Sequence, residues 1–206
     1  GMDDPEEFYH LLEIYNKYRM EELIIHPRVQ KDFYKNTPNM KLFTEALAKS
    51  SNPVCYNGDI FTVEDYIRFI QIHPEVECVM TGRGVLADPA LARKIRGGAG
   101  ADAGELRRFH DLLYAGYCRE MSGDRTILFK MKELWTYLAP VFTNYKKSFL
   151  VKTLCSNPHT IYLSFRKCAV IDCMNTARRA AFFQNTKISI LFSGNLQDAF
   201  RPFLKC

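Results

Sequence analysis

Residues 76–89 read VECVMTGRGVLADP: an apolar run, then Gly82-Arg83-Gly84, then a segment that can restart a helix at Pro89. The run VECVMT is short and lacks polar alternation, so it predicts a strand with both faces covered, ended by Gly82. Such a strand belongs in a parallel sheet, where helices cover one face and packed side chains fill the other. The question is whether the chain supplies the helices and the neighbouring strands.

Working toward the N-terminus, it does so twice more. TVEDYIRFIQI (62–72) predicts a helix, with Thr62 as its cap and Asp65 three residues on. PVCYN (53–57) predicts a strand ended by Gly58, and PNMKLFTEALAKS (38–50) another helix. Leu23-Ile24-Ile25 predicts a strand stopped by Pro27. DDPEEFYHLLEIYNKYR predicts a first helix capped by Asp4, with Pro5 in its first position and Glu7 completing a capping box. The strands end near residues 26, 57 and 82. That spacing is the rhythm of βα units.

Toward the C-terminus, PALARKIR (89–96) predicts a short helix and Gly97-Gly98-Ala99-Gly100 a hinge. Two amphipathic helices follow, LRRFHDLLYAGYCREM with Leu106, Phe109, Leu112 and Leu113 on one face, and RTILFKMKELWTYLAPVF with Leu128, Met131, Leu134, Trp135 and Leu138. Ser122-Gly123-Asp124 joins them tightly, which predicts an antiparallel pair. From residue 145 onward, 10 Lys and Arg stand against only Asp172 and Asp198. There 169–184 can be helical, and ISILF (188–192) reads either as a strand or as a buried helical turn. The expected fold class is α/β: a partial (β/α) TIM-barrel fragment followed by a mostly α-helical C-terminal domain. The expected divisions are βα units over 4–96, a Gly-rich linker over 97–104, a helical domain over 105–144, and a basic tail over 145–206, partly helical or poorly ordered.

The 206 residues are 47% hydrophobic, enough for a real core and against a disordered chain. Gly1-Met2 reads as the scar of a cleaved tag. No stretch approaches 18 consecutive apolar residues and no basic-then-apolar leader precedes the first helix, so a soluble cytoplasmic protein is expected, away from membranes. Seven scattered cysteines, an odd number, fit reduced thiols better than a disulfide framework. Cys168 and Cys173 lack a matching second pair, and Cys55 and Cys78 lie inside apolar strands as core filler, so no metal site is expected. The net charge of +5 conceals an asymmetry: residues 1–103 hold 12 Lys and Arg against 16 Asp and Glu, a net of −4, while 104–206 hold 16 against 7, a net of +9. A polyanion would dock on the second half, or the charge merely aids solubility.

In a parallel sheet, ligands sit at the C-terminal ends of the strands. Those ends carry His26-Pro27-Arg28, Asn57-Gly58-Asp59 and Gly82-Arg83-Gly84, which suggests a common rim. Glycines at 82 and 84 would let backbone approach a phosphate, or simply shape a tight loop. His26 can donate to a ring nitrogen or carbonyl, or merely pack at a strand end. Asp59 reads as a loop cap, and Tyr34 as a flap over the mouth or an ordinary loop aromatic. No Ser-His-Asp or Cys-His arrangement is present and no catalytic residue is assigned, so any chemistry leans on a cofactor.

IIHPR, PVCYNGDI and VMTGRGVLADP, in this order and followed by the helical pair, resemble the tRNA-dihydrouridine synthases. The resemblance is to that family's C-terminal part only and covers about residues 5–144. It implies a barrel that binds FMN, takes electrons from NADPH and reduces uridine in tRNA to dihydrouridine. It implies that His26, Asn57 and Gly58 face the flavin and that Gly82, Arg83 and Gly84 hold its phosphate. Arg28, Lys130 and Lys132 would contact tRNA. Pro27 replaces the usual glycine after the histidine, and Asp88 the usual asparagine. The family's cysteine in an Asn-x-Cys-Pro loop has no counterpart, and a closed barrel needs eight strands where this chain shows three. A three-strand sheet exposes an edge and apolar interior residues, so a missing barrel half or a homodimer partner is expected. Two other readings stand beside an incomplete enzyme: a non-catalytic RNA-binding or interaction module, and another FMN-barrel oxidoreductase.

Overall fold

The computed structural model describes residues 4, 6–32, 36–141 and 187–190. Tyr34 and the tail outside 187–190 lie beyond the described residues. The chain divides into two compact units, Gly1–Thr81 with Gln184–Leu191, and Gly82–Phe183 with Phe192–Cys206. Together they realise the expected class, an alternating α/β segment with an open sheet, then a mostly helical region.

In the first unit, helices α1 (Glu7–Tyr15), α2 (Met40–Lys49) and α3 (Val63–Ile72) alternate with strands β1 (Leu23–Ile25), β2 (Val54–Asn57) and β3 (Cys78–Thr81). α3 starts as expected: the Thr62 hydroxyl accepts from the Asp65 amide at 3.1 Å, and the Asp65 carboxylate accepts from the Thr62 amide at 3.0 Å. α2 is capped by Asn39, whose side-chain oxygen accepts from the Leu42 amide at 3.0 Å. α1 departs from expectation. Asp4 accepts from the Glu6 amide at 2.9 Å, so its carboxylate is spent on the preceding turn, and the helix begins at Glu7 without a side-chain cap.

All pairings are parallel, in the order β1-β2-β3-β4, where β4 is Lys187–Ile190. The three strands expected before the helical pair are present, and of the two readings of 188–192 the strand is realised over Lys187–Ile190. A β-branched segment far along the chain resolves as strand, and it satisfies the backbone donors and acceptors on the second side of β3. β1 and β4 are the edges of the described sheet.

Register and the two-residue period sort the side chains of β1–β3 by face. Tyr56 stacks on Phe69 of α3 at 4.1 Å and meets Phe43 of α2 edge-on at 4.8 Å, so its face is the helix-covered one. Leu23, Ile25, Val54 and Val79 share that face and are buried. Ile24, Cys55, Asn57, Cys78 and Met80 share the other. There Ile24 is 44% exposed, the open apolar interior that an unclosed sheet entails.

In the second unit, the short helix expected over 89–96 is α5 (Leu91–Ile95), and a further short helix that the sequence reading did not expect, α4 (Arg83–Ala87), precedes it. Asp88 divides them: its carboxylate accepts from the Ala90 amide at 3.0 Å and from Lys94 Nζ at 2.7 Å, fixing the turn at Pro89. The Gly-rich segment lies within this unit and is strapped down. Arg93 donates to the Ala99 and Gly100 carbonyls at 2.9 and 3.0 Å, and both its terminal nitrogens reach Glu105, at 2.9 and 2.8 Å.

Glu105 also completes the capping box of α6 (Ala103–Glu120) with Asp102. Gly123, at φ +86°, makes the left-handed turn into α7 (Asp124–Leu138) that other residues adopt only with strain. Leu106, Phe109, Leu113, Leu128, Met131, Leu134, Trp135 and Leu138 form the buried stripes as expected. Leu112 does not, because it sits beyond the edge of the α6 stripe and is exposed. No helix among the described residues is long and apolar enough to cross a membrane.

Candidate functional site

β1 and β2 end side by side, Ile25 opposite Tyr56, so the residues that follow them are neighbours. His26 is exposed, and its Nδ1 lies 2.5 Å from the Asn57 carbonyl. The bond orients the imidazole, with Nδ1–H donating. In this arrangement Nε2 donates to a further group only when the ring is protonated.

Arg28 does not offer its charge outward. Its side chain is 3% exposed and its guanidinium pairs with the Asp59 carboxylate and donates to the Asn36 carbonyl. Asp59 thus ties the two strand-end loops together through Arg28, in place of the loop-capping role read from sequence. Asp32 orders the same loop, accepting from Asn36 Nδ2 at 2.6 Å and from the Val29 amide at 3.0 Å. Those bonds, Asn36 first, hold its carboxyl below the usual range. A cavity of about 250 Å³ opens here, with Ile25 and Leu42 as apolar walls and His26, Arg28, Asp32 and Asn39 as polar ones.

Gly58 has a structural reason of its own. A Cβ there would fall 1.9 Å from the Tyr56 hydroxyl oxygen, and Tyr56 is pinned in the aromatic stack. Burial, with the Asp59 charge second, pushes the Tyr56 phenol up to about 12.

Gly82 is different. A Cβ there would meet nothing within 4 Å. Packing does not ask for glycine, so its effect is to leave free room beside the chain directly after β3. Arg83 and Gly84 are not a loop, as expected from sequence, but the first turn of α4, where Gly84 is buried and its carbonyl accepts from the Asp88 amide at 2.8 Å.

Lys130 and Lys132 stand two residues apart in α7 and so point to different sides of it. Lys130 pairs with Glu133 at 3.0 Å, which raises its pKa, and is exposed, whereas Lys132 is half-buried. His73 is buried edge-on to Phe43 at 5.4 Å. Sequence reasoning missed Asn52, which accepts from the Met20 amide at 2.8 Å and donates to the Tyr15 carbonyl at 3.2 Å, setting the turn into β1. No local pattern announces a contact between positions so far apart in the chain.

The family model described as dihydrouridine synthase (Dus) matches residues 1–142. Three curated proteins named tRNA-dihydrouridine(16) synthase are similar to shorter stretches. That of Pseudomonas syringae pv. tomato is 36% identical over 84 residues, 41% of this chain and 25% of the relative. That of Cupriavidus necator is 35% identical over 75 residues, 36% and 23%. That of Shewanella oneidensis is 32% identical over 119 residues, 57% and 37%. The chain therefore spans about a quarter to somewhat over a third of these relatives. The expectation of a match to a C-terminal part only is corrected: the homology occupies the N-terminal residues 1–142.

Proposed function

The chain belongs to the dihydrouridine synthase (Dus) family, and from that premise we propose that it takes part in the FMN-dependent reduction of uridine to dihydrouridine in tRNA, in the cytoplasm, with NADPH as electron donor. Family similarity supports the general function of a flavin-dependent oxidoreductase. The observation that carries the reading to this chain's own residues is Gly82, a glycine after β3 that leaves open room which its packing does not require.

FMN supplies hydride-transfer chemistry when bound. His26, oriented through the Asn57 carbonyl, would face the edge of the flavin ring. Asn57 and Gly58 offer backbone to the same edge. Gly82 lets the chain approach the phosphate, with the charge of Arg83 beside it and Gly84 holding the turn. Lys130 and Lys132, from different sides of α7, make phosphate contacts with tRNA. Arg28 orders the loop beneath His26 and reaches RNA only by leaving Asp59. Among the described residues no cysteine stands at the C-terminal end of a strand: Cys55 lies within β2, Cys78 opens β3 at its N-terminal end, both buried, and Cys118 lies on α6. The proton donor of the reaction is assigned to the rest of a barrel supplied by another polypeptide, and the chain by itself is expected not to turn over.

Flavin fluorescence during titration of the purified chain with FMN tests this. Binding is expected, and Gly82→Val should weaken it at least ~10-fold, about 1.4 kcal/mol, with an unchanged melting curve. Equal affinity in the variant removes the phosphate role, and no binding by the parent chain removes the flavin reading. The net charge of +9 over residues 104–206 favours a second reading, an RNA-binding module without chemistry. It is supported instead if tRNA binds without FMN and the affinity falls steeply with salt.

A further inference from the structure

The sheet face turned away from α2 and α3 carries a set of soft-metal ligands. Cys55 in β2 and Cys78 in β3 are register partners, so their side chains leave the sheet next to each other. Glu22, the residue before β1, brings a carboxylate to the same place, and one ligand atom from each of the three lies within 4.8 Å of the others. Both thiols are buried, Glu22 is half-buried, and Met80 adds a thioether to the same cluster.

In a tetrahedral zinc site with Zn–S of ~2.3 Å and Zn–O of ~2.1 Å, ligand atoms stand roughly 3.5–3.8 Å apart. A spread of at most 4.8 Å closes to that value by small side-chain rotations, without moving strands. Two thiols alone would be ordinary core filling. A carboxylate oxygen within 4.8 Å of both thiols is not part of such filling and completes a three-ligand set.

We propose that Glu22, Cys55 and Cys78 bind one Zn²⁺ ion, with water in the fourth position, clamping the lead-in to β1 to β2 and β3. On binding, each thiol releases its proton to solvent and coordinates as thiolate. The carboxylate completes the protein ligands, so the site carries a net charge of −1. Sulfur donors select zinc over magnesium or calcium, and the close set of three ligands, two of them borne by adjacent strands, fixes the geometry. The ion would hold together the open side of the sheet, the side where Ile24 lacks cover.

Cobalt(II) substitution in the full-length, reduced, metal-free chain reports directly, because thiolate ligation gives a charge-transfer band that oxygen ligation lacks. One equivalent should develop that band, and one equivalent of Zn²⁺ should abolish it and raise the melting temperature. Cys55→Ser and Cys78→Ser should each lose the band's intensity, and Cys118→Ser, on α6, should keep it. Should the cysteine variants fail to fold, Glu22→Gln still decides: it should retain a sulfur band but bind cobalt at least ~10-fold more weakly. No band in the parent chain overturns the proposal. So does a band of full strength in folded Cys55→Ser or Cys78→Ser, or cobalt affinity unchanged by Glu22→Gln.

Discussion

The two faces of the sheet are made from the same strands, yet they are finished differently. One is sealed by α2 and α3 through a continuous aromatic layer, Phe43, Tyr56, Phe69 and His73, with Phe43 fully buried. The other holds two thiols, a thioether and an asparagine at its centre and leaves Ile24 in solvent on the edge strand. A parallel strand is built to be covered twice. Here the described residues cover the helix side fully and the other only in its middle, so stability should reside on the first face and association, with flavin, metal or a further chain, on the second.

The sharpest way to break that contrast is to cut into the sealed face. Phe43→Ala removes a fully buried ring in contact with three other rings and should cost about 3–5 kcal/mol in denaturant unfolding. A loss below about 1 kcal/mol would mean that the aromatic layer does not hold the unit together.

The next effect is one of pH. Tyr56 keeps its proton up to about 12 in the fold but releases it near 10 when unfolded. A raised folded value means that the stability is fully present below pH 10 and is lost as pH rises through 12, roughly 2–3 kcal/mol in all. Denaturant midpoints across that window should fall in the parent chain and fall less in Tyr56→Phe. Parallel curves would show that the phenol is wet.

The smallest effect belongs to the open face. Ile24→Ser should change stability by no more than about 0.5 kcal/mol, since the side chain is already half in water. A large loss, growing with protein concentration, would show that a second copy covers this face in solution and would dissolve the contrast altogether.

Much of the first unit could be read directly from the chain. Three apolar runs without alternation gave β1–β3, and Thr62 with Asp65 gave the start of α3 to the residue. Local chemistry decides those features: a cap and its partner are three residues apart, and a strand's covering is written in its own side chains. The site was legible only as residue types at strand ends. His26 and Asn57 do meet, as their places in successive units imply. The pairing of Arg28 with Asp59 was not legible, because the two lie 31 residues apart in the chain.

The glycines show the limit most clearly. Gly58 and Gly82 look alike in sequence, each closing a strand, yet one is demanded by the Tyr56 ring and the other by no packing contact. Sequence by itself determined the alternation of strand and helix, the parallel class, the basic second half and the family, because each is written in local pattern or composition. Tertiary structure decided which face is sealed, that a fourth strand joins β3, and that Glu22, Cys55 and Cys78 converge. Those are pairings between residues tens of positions apart, and their energy exists only once the sheet has formed.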